Sequence, residues 1–402
     1  MNAAQGVLVG LVVLGVLYWL LNALFTLYMT RRVPILEHLR PTEPESWPRL
    51  SVIIPACNEA ESIEAATRSR LSDGYPNLEI VLVDDRSEDG TGEIIDRLAA
   101  ADQRVRALHI AGLPEGWLGK LHALQRGVEV ATGEWLLFSD ADVHVEPGTL
   151  ARTVAYCEQR GLDQLAAIPQ FWPASFLLGC VLATFIRFIC LSIRLWAIEN
   201  PRSTAAVGVG AFNLVRRSAF ERTGGFEEIR LTIGDDVALG QMMKRSGAKC
   251  SAVNGRRQIG LHFYRTMGEA VRATEKSALV AFQFSYLRLV AVSLTLLWLE
   301  LSPIVALVLA YATEGFGAGL GGAVLQILGV SGIALALLAA LLVNRWVAMP
   351  LLPATFFPIG VMLSVAIVGR AAVLAAWRGG HLWRGMLYPT DVLRKGNRLR
   401  FP

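Results

Sequence analysis

The apolar residues of this 402-residue chain are concentrated in a few long stretches near its two ends. Residues 7–29, VLVGLVVLGVLYWLLNALFTLYM, carry no charge and are long enough to cross a bilayer. Three later stretches, at 289–311, 323–343 and 352–377, have the length and composition of further spans. Hydrophobic residues make up 53% of the chain and charged residues only 18%, which is too apolar for an ordinary soluble protein. We therefore predict a multi-pass membrane protein.

The first apolar stretch is followed directly by Arg31 and Arg32. The positive-inside rule then places residues 1–6 outside and the next segment in the cytosol, as in a protein of the inner (plasma) membrane. A cleaved signal peptide is the alternative, but the stretch is too long and lacks a basic region before it. The predicted parts are an anchor at 1–32, a soluble domain at 48–275, a membrane region at 282–377 and a basic tail at 378–402.

The late membrane segments raise a problem of orientation. Three full crossings would carry the basic tail outside, against the positive-inside rule. We therefore predict that one late segment does not fully cross, either 282–311, which contains Pro303, or 350–377, which contains Arg370. Residues 312–322 are expected to connect the first two late spans.

Charge and cysteine content exclude some functions. The net charge of +4 gives no case for nucleic-acid binding. The five cysteines include no C-x-x-C pair, so neither a disulfide framework nor a cysteine metal site is indicated. They fit a reduced, cytosolic setting.

The soluble part alternates short apolar, β-like runs with amphipathic helical stretches. The runs RLSVIIPA, LEIVLVDD, VRALHI and EWLLFSDAD are separated by helical patterns at 59–71, 91–101 and 120–131. Strands that alternate with crossover helices form a parallel sheet covered on both faces. The predicted fold class is therefore α/β, with a mostly parallel, Rossmann-like sheet.

Polar and acidic residues follow three of these strands, where an open α/β sheet binds its ligands. A turn or a helix cap is the alternative for each position, because Asp, Asn and Ser are common there. For Glu59, Ser87 and Asp89 we favour that alternative. The residues concerned are Asn58 and Glu59, then Asp84 and Asp85, then Asp140 and Asp142.

Asp140 and Asp142 are the most informative pair, because residues i and i+2 of a strand point to the same side. Two carboxylates at the end of an apolar strand need compensation, since buried charge is costly. Carboxylate oxygens suit Mg²⁺ or Mn²⁺, which also bind phosphate oxygens. We predict a divalent cation here that neutralises a departing nucleoside diphosphate.

Five motifs occur in the order seen in membrane-bound family-2 glycosyltransferases. They are VIIPACNEAESI, VLVDDRSEDGT, GKLHALQRGVEVATGEWLLFSDADVHVEPGTL, GVGAFNLVRRSAFERTGGF and GDDVALGQMMKRSG, and they cover about 50–275. The resemblance implies a GT-A fold and an inverting transfer from a nucleotide sugar, expected to be a UDP-sugar.

The resemblance also implies roles for individual residues. Asp85 resembles the aspartate that reads uracil, and Lys120 resembles the lysine near the nucleotide. Asp140 and Asp142 resemble the metal and diphosphate motif. Pro55, Asn58 and Glu59 are expected to line the nucleotide-sugar site, with Asp140.

Two adjacent acids, Asp235 and Asp236, open a predicted helix, and displacement at an anomeric carbon needs one base on the acceptor hydroxyl. The resemblance favours Asp236 as that base, because Leu239 follows it at the family's spacing. An acid that merely stabilises a helix N-terminus is the alternative.

The acceptor side is less defined by the sequence. Arg216 and Arg217 are either phosphate ligands or a solvated pair, and His262 is either an auxiliary metal ligand or a packed side chain. The Q-x-x-R-W motif of processive synthases is absent after Gln258, which favours a single transfer. Tyr264 and Arg265 are expected to serve a nearby role, as in lipid-directed relatives.

Residues 171–198 are apolar but contain Arg187 and Arg194, seven residues apart. We expect both arginines on one face of a helix that lies in the membrane interface, with a buried core helix as the alternative. The stretch GGHLWRGMLYP at 379–389 resembles the ending of hopanoid-associated and carotenoid-directed glycosyltransferases. With the resemblance to the ceramide-glucosyltransferase-like branch, it implies a membrane lipid as acceptor.

Three other functions remain open from the sequence. One is a sugar nucleotidyltransferase on a similar fold, which would release pyrophosphate rather than UDP. Another is a polysaccharide-forming family-2 synthase. The third is a non-catalytic membrane protein, which the filled acidic positions disfavour.

Overall fold

The computed structural model describes residues 3–312 and 320–399, so most of the predicted connection at 312–322 lies outside the described residues. The chain divides into two compact units. The helical unit comprises Met1–Arg32, Pro173–Ser192 and Tyr264–Thr390. The sheet unit comprises Val33–Trp172, Ile193–Phe263 and Asp391–Pro402.

The elements are numbered in chain order. The strands are β1 Leu50–Ala56, β2 Leu78–Asp85, β3 Val105–Ile110, β4 Trp135–Phe138, β5 His144–Val145, β6 Gln164–Ile168, β7 Gln170–Phe171, β8 Asn213–Arg216, β9 Cys250–Asn254, β10 Ile259–Leu261, β11 Gly380–Trp383 and β12 Met386–Pro389. The helices are α1 Ala3–Arg32, α2 Ile63–Leu71, α3 Thr91–Ala101, α4 Gly119–Val130, α5 Thr149–Arg160, α6 Phe176–Ser192, α7 Arg217–Phe220, α8 Gly225–Glu228, α9 Asp235–Arg245, α10 Met267–Thr274, α11 Tyr286–Ala312, α12 Leu320–Trp346, α13 Leu351–Thr355, α14 Phe357–Arg378 and α15 Thr390–Gly396.

The sheet unit is built on a seven-stranded sheet of order β3-β2-β1-β4-β8-β6-β9. β1 and β2 are rich in Val, Ile and Leu, and fourteen of their fifteen residues are buried. Such runs are typical of central parallel strands with both faces covered. The parallel pairing of β1 with β2 and β4 confirms the predicted arrangement.

β8 runs antiparallel to its neighbours β4 and β6. In the register with β4, Asn213 lies opposite Phe138 at the carboxyl end, and Arg216 lies opposite Trp135 at the amino end. The start of β8 therefore lies at the ligand-binding edge of the sheet, and its end lies at the opposite edge.

The helical unit contains three long helices that pack on one another, α1, α11 and α12, of 30, 27 and 27 residues. One apolar cluster joins Val12, Ala306 and Leu325, one residue from each helix. At about 1.5 Å per residue, each helix exceeds the roughly 30 Å of a bilayer core. All three, together with α14 and a helical stretch that contains α6, are long and apolar enough to cross a membrane.

A buried ion pair joins two helices of this unit. Arg187 Nη2, on α6, donates to both carboxylate oxygens of Glu300, on α11, each at 2.8 Å. Tyr18 also donates to Glu300, and the Arg187 guanidinium lies over the ring of Trp19, 4.7 Å from its centroid. The side chains of Arg187 and Glu300 are 2% and 0% exposed, so the charges compensate each other away from water.

The arrangement around α6 corrects one expectation. The helix ends at Ser192, and Arg194 adopts the left-handed conformation at the start of a 3₁₀ turn, where it donates to Thr204 in the sheet unit. Arg187 and Arg194 therefore do not share a helical face. Arg187 is held by Glu300 instead, which no periodicity within 171–198 indicates.

Candidate active site

A pocket lies at the carboxyl ends of β1 and β4 in the sheet unit. It holds five of the residues that the sequence predicts, together with apolar and glycine neighbours. Its lining residues are Pro55, Lys120, Leu124, Phe138, Ser139, Asp140, Gly210, Asn213, Phe226, Asp235, Asp236 and Leu239. This is the edge at which open α/β sheets bind their ligands.

Lys120 connects two of the predicted acids. Its ammonium, in the first turn of α4, lies 2.8 Å from Asp140 and 3.1 Å from Asp235. Burial alone would lower the pKa of Lys120, but the carboxylates of Asp140, Asp235 and Asp236 outweigh burial and raise it. The lysine therefore stays charged and holds the metal-motif strand and the start of α9 together.

Gly210, in the loop before β8, joins Asp140 to Asp236. Its carbonyl accepts from the Asp140 N–H at 3.0 Å, and its own N–H donates to the Asp236 carboxylate at 3.1 Å. A Cβ here would lie 2.8 Å from an Asp140 carboxylate oxygen, so a larger residue would displace that carboxylate. Gly210 was not predicted as a site residue, although it lies in the motif GVGAFNLVRRSAFERTGGF.

The two acids of the α9 start differ in their surroundings. Asp235 pairs with Lys120, whereas the carboxylate of Asp236 accepts from the backbone N–H groups of Gly210 and Val237. Burial, and then the neighbouring Asp235, raise the pKa of Asp236 above the ordinary aspartate range. A carboxylate with a raised pKa is the stronger base.

Asp142, like Asp140, lies in the loop that follows β4. Burial, with Asp140 and Glu59 nearby, raises the pKa of Asp142 to about 7. A positive ion at this position would reverse that shift, because it stabilises the charged carboxylate.

Arg70, on α2, lies behind the metal-motif loop and was not predicted. Its side chain is fully buried, and one of its nitrogens donates to Ser139 Oγ and to the Asp140 carbonyl, both at 2.8 Å. Burial lowers its pKa to about 10, against the pull of Asp142 and Asp140, so it remains charged at neutral pH. Nothing in the local sequence distinguishes it from the exposed Arg68 two residues earlier.

Asp85 ends β2 close to the start of α4. A Cβ on Gly119 would lie 2.4 Å from its carboxylate, and Arg86 Nε donates to that carboxylate at 2.9 Å. It therefore neighbours the helix that carries Lys120, although it does not line the pocket itself.

The loop after β1 is tied to the loop after β2. Asn58 donates its N–H to Ser87 Oγ and accepts from the Glu88 N–H, while the Glu59 N–H donates to Thr91 Oγ1. Asp89 accepts from Thr91 and Ala60. The turn and cap interpretation preferred for Glu59, Ser87 and Asp89 agrees with these bonds.

Arg216 and Arg217 lie at the opposite edge of the sheet, which corrects their suggested role as phosphate ligands. Arg216 pairs with Glu158 at 3.0 Å and stacks on Trp135, and Arg217 donates to the carbonyls of Gly133 and Ala131. The antiparallel direction of β8 places them there.

The remaining candidates lie outside the pocket lining. His262 Nδ1 lies 2.8 Å from the Trp172 carbonyl, and the His262 ring packs edge-on against the Trp172 indole. Tyr264 and Arg265 belong to the helical unit, where the Arg265 N–H donates to Glu269. Gln258, the first residue of the incomplete synthase motif, accepts from Arg152.

Asp140 and Asp142 fit a divalent cation by the chemistry of their donor atoms. Among residues 3–312 and 320–399, no three His, Cys, Asp or Glu side chains form a metal cluster, so His262 does not complete one. Mg²⁺ is usually held by one or two carboxylates, with water and substrate phosphate as its other ligands. The pair therefore suits an ion that binds together with a diphosphate.

Comparisons with known proteins bear on the family and the fold of the domain that contains this site. The model of the family described as Glycosyl transferase family 2 matches residues 51–224. Glycosyltransferase GlyG of Streptococcus pneumoniae is 32% identical over 114 residues, which is 28% of this chain and 36% of GlyG. The undecaprenyl-phosphate mannosyltransferase of Micrococcus luteus is 39% identical over 108 residues, 26% of this chain and 42% of that enzyme. The alignments thus span less than half of either relative.

One solved structure resembles most of the chain. The mannosyltransferase PcManGT of Pyrobaculum calidifontis, solved with GDP-mannose and Mn²⁺, is 19% identical with a TM-score of 0.56. The similarity covers 92% of this chain and 99% of PcManGT, and at this identity it concerns the fold. Residues 51–224 thus match the glycosyltransferase family 2 model, and the structural similarity supports a fold of the GT-A type.

Proposed function

We propose that this chain is an inverting, metal-dependent glycosyltransferase that moves one sugar from a UDP-sugar to a membrane lipid. The observation that carries the proposal is the double contact of Gly210, which joins the metal-motif residue Asp140 to Asp236. One pocket then holds both Asp140, which would face the departing diphosphate, and Asp236, which would act as the base.

The proposed reaction uses these residues as follows. Asp236 takes the proton of the acceptor hydroxyl as that oxygen attacks the anomeric carbon. The bond between this carbon and the diphosphate oxygen breaks, and its electron pair leaves with UDP. Lys120 adds positive charge beside Asp140. When bound by Asp140 and Asp142, Mg²⁺ or Mn²⁺ supplies a Lewis acid for the departing diphosphate.

The lipid acceptor is supported by the helical unit and by one relative. Among residues 3–312 and 320–399, five helical stretches are long and apolar enough to cross a membrane, which supports a membrane-bound enzyme. The Micrococcus luteus relative is named for a lipid phosphate acceptor. A hydroxyl acceptor needs Asp236 as a base, whereas a lipid phosphate is largely ionised at pH 7, because its second pKa is about 6.

The proposal is tested with the full chain in lipid nanodiscs. Radiolabelled UDP-sugars and GDP-mannose are supplied with lipids that end in a hydroxyl or in a phosphate, and lipid extracts and released nucleotides are analysed. We expect one lipid-linked sugar for each UDP released, and loss of this product in Asp236→Asn.

Other outcomes would overturn the proposal. Pyrophosphate release would indicate a nucleotidyltransferase, and a ladder of products would indicate a polysaccharide synthase. If transfer to lipid phosphate persists in Asp236→Asn, the acceptor is a lipid phosphate and Asp236 is not a catalytic base. Nucleotide binding without turnover on any lipid would indicate a non-catalytic protein.

A further inference from the structure

The loop that leads into α9 is held by a segment far away in sequence. We call Ile229–Gly234 the base loop and Asp391–Leu399 the tail segment; both belong to the sheet unit. Thr232, in the base loop, is fully buried. Its hydroxyl donates to the Gly396 carbonyl at 3.3 Å and accepts from the Arg398 N–H at 3.1 Å. One side chain thus binds two backbone groups of the tail segment.

Close packing accompanies these hydrogen bonds. Leu399 is 7% exposed, and its Cδ1 lies 3.0 Å from where a Cβ on Gly234 would be. A Cβ on Gly396 would in turn lie 2.5 Å from the Leu231 side chain. The base loop and the tail segment are therefore closely packed, at Gly234 on one side and Gly396 on the other.

The base loop determines where α9 begins. Gly234 has a φ of +88°, which favours glycine, and its carbonyl accepts from the Ala238 N–H in the first turn. Asp235 and Asp236 follow directly. On its other side, the Arg230 carbonyl accepts from the Leu118 N–H, two residues before Lys120. The base loop is thus held by the tail segment and by Leu118. Its position determines the positions of Asp235 and Asp236.

We infer that the tail segment is a positioning element for the base, so that residues after the last long helix set the placement of Asp236. The tail segment contributes no residue to the pocket lining. Its effect acts through Thr232 and Gly234 on the first turn of α9. Since a displacement of about 1 Å can cost roughly 100-fold in rate, modest loosening of the base loop is sufficient. The inference rests on the proposed role of Asp236.

The test compares two pairs of variants of the full chain. Thr232→Val removes the hydroxyl and keeps the shape, whereas Thr232→Ser keeps the hydroxyl. Leu399→Ala removes the packing against Gly234, whereas Leu399→Ile retains its volume. Val392→Ala, at an exposed position of α15, is the matched control. For each, kcat, the donor KM, donor binding by calorimetry and thermal unfolding are measured.

We expect Thr232→Val and Leu399→Ala to lower kcat about tenfold or more, with donor KM and binding within about twofold of wild type. Thr232→Ser, Leu399→Ile and Val392→Ala should stay near wild type. A kcat that is unchanged in both disruptive variants overturns the inference, as does a loss of kcat that merely parallels the loss of folded protein. If one disruptive variant does not fold, the other decides by the same criterion.

Asp236→Asn, measured in parallel, separates this inference from the proposed function. If Asp236→Asn is inactive while both disruptive variants act like wild type, the base stands and the positioning role is wrong. If Asp236→Asn retains full transfer, the base assignment is wrong and the positioning of that base is wrong with it.

Discussion

The buried guanidinium of Arg70 donates to the main-chain carbonyl of Asp140 at 2.8 Å. The same nitrogen donates to Ser139 Oγ, which itself donates to the Ala211 carbonyl. Arg70 therefore holds the loop that carries the metal motif and places a positive charge behind its two acids. A buried arginine is costly to desolvate, so its charge must be balanced by those neighbouring acids.

Replacing Arg70 with Met should lower kcat about tenfold or more, because the Asp140 carbonyl loses its donor and the loop loses its fixed position. Arg70→Lys should have a smaller effect, since it keeps the charge but not the geometry of the guanidinium. Arg68→Met is the control, because Arg68 is exposed and pairs with Glu64 on the surface. Equal kcat in wild type and Arg70→Met would contradict the role given to Arg70.

Asp142→Asn should remove most transfer, because an amide oxygen is a poorer, uncharged ligand for Mg²⁺ or Mn²⁺. Chelator should abolish turnover of the wild type, and added divalent cation should restore it. Product formation is measured across a series of chelator and metal concentrations, with Asp96→Asn as an exposed acidic control. Turnover that continues in excess chelator would mean that Asp140 and Asp142 do not act through a metal.

The rate should fall at acidic pH as Asp236 becomes protonated. A base acts in its ionised form, and the pKa of Asp236 is raised by burial and by Asp235. Activity should therefore be complete above this raised pKa and be lost as the pH falls through it, with a midpoint above the ordinary aspartate value of 3.8. The measurement is kcat against pH.

Variants of the two adjacent acids complete this test. Asp236→Asn should lose about 10²-fold or more in transfer while donor binding by calorimetry persists. Asp235→Asn should lose less. The opposite ranking of the two variants would assign the base to Asp235.

The buried pair of Arg187 and Glu300 should behave as one unit. Arg187→Met or Glu300→Leu alone should destabilise the protein by about 3–5 kcal/mol, because either leaves an uncompensated buried charge. The double variant should recover most of that loss. Thermal unfolding in detergent measures this, with Arg288→Met as an exposed control on α11. Additive losses in the double variant would show that the two charges act independently.

A cysteine at position 395 should not be labelled from outside intact cells. The sheet unit contains both the chain up to Phe263 and the chain from Asp391 onward, and we expect this unit to lie on one side of the membrane. The chain between them therefore crosses an even number of times. We expect α1, α11 and α12 to cross the membrane. We expect α14 not to cross fully, since it carries Arg370, which is bound to Glu275. Labelling from outside would require three late crossings.

Much of the sheet unit could be predicted because its signals are local. Apolar runs such as LEIVLVDD identify the strands. The acids at the ends of these strands allow Asp140 to be predicted as a site residue without any knowledge of the tertiary structure. Lys120 and Asp236 also came from motifs, and both line the same pocket.

The residues that were missed or misplaced depend on non-local geometry. Arg216 and Arg217 follow a strand like the others, but β8 runs in the opposite direction, so its start rather than its end lies at the pocket. Gly210 and Asn213 were overlooked for the same reason. Arg70 resembles a surface arginine until the sheet covers it. No sequence pattern connects Thr232 with Gly396, 164 residues later.

The contact between Arg187 and Glu300 also has a consequence in time. The two residues are 113 positions apart. At a synthesis rate of about 5–20 residues per second, the ribosome makes Arg187 roughly 6–23 s before its partner. During this interval Glu300 cannot neutralise the Arg187 guanidinium, so that group needs water or another polar partner. We therefore expect α6 to pack against α11 only after Glu300 has been made, so that the order of synthesis sets an order of assembly in the helical unit.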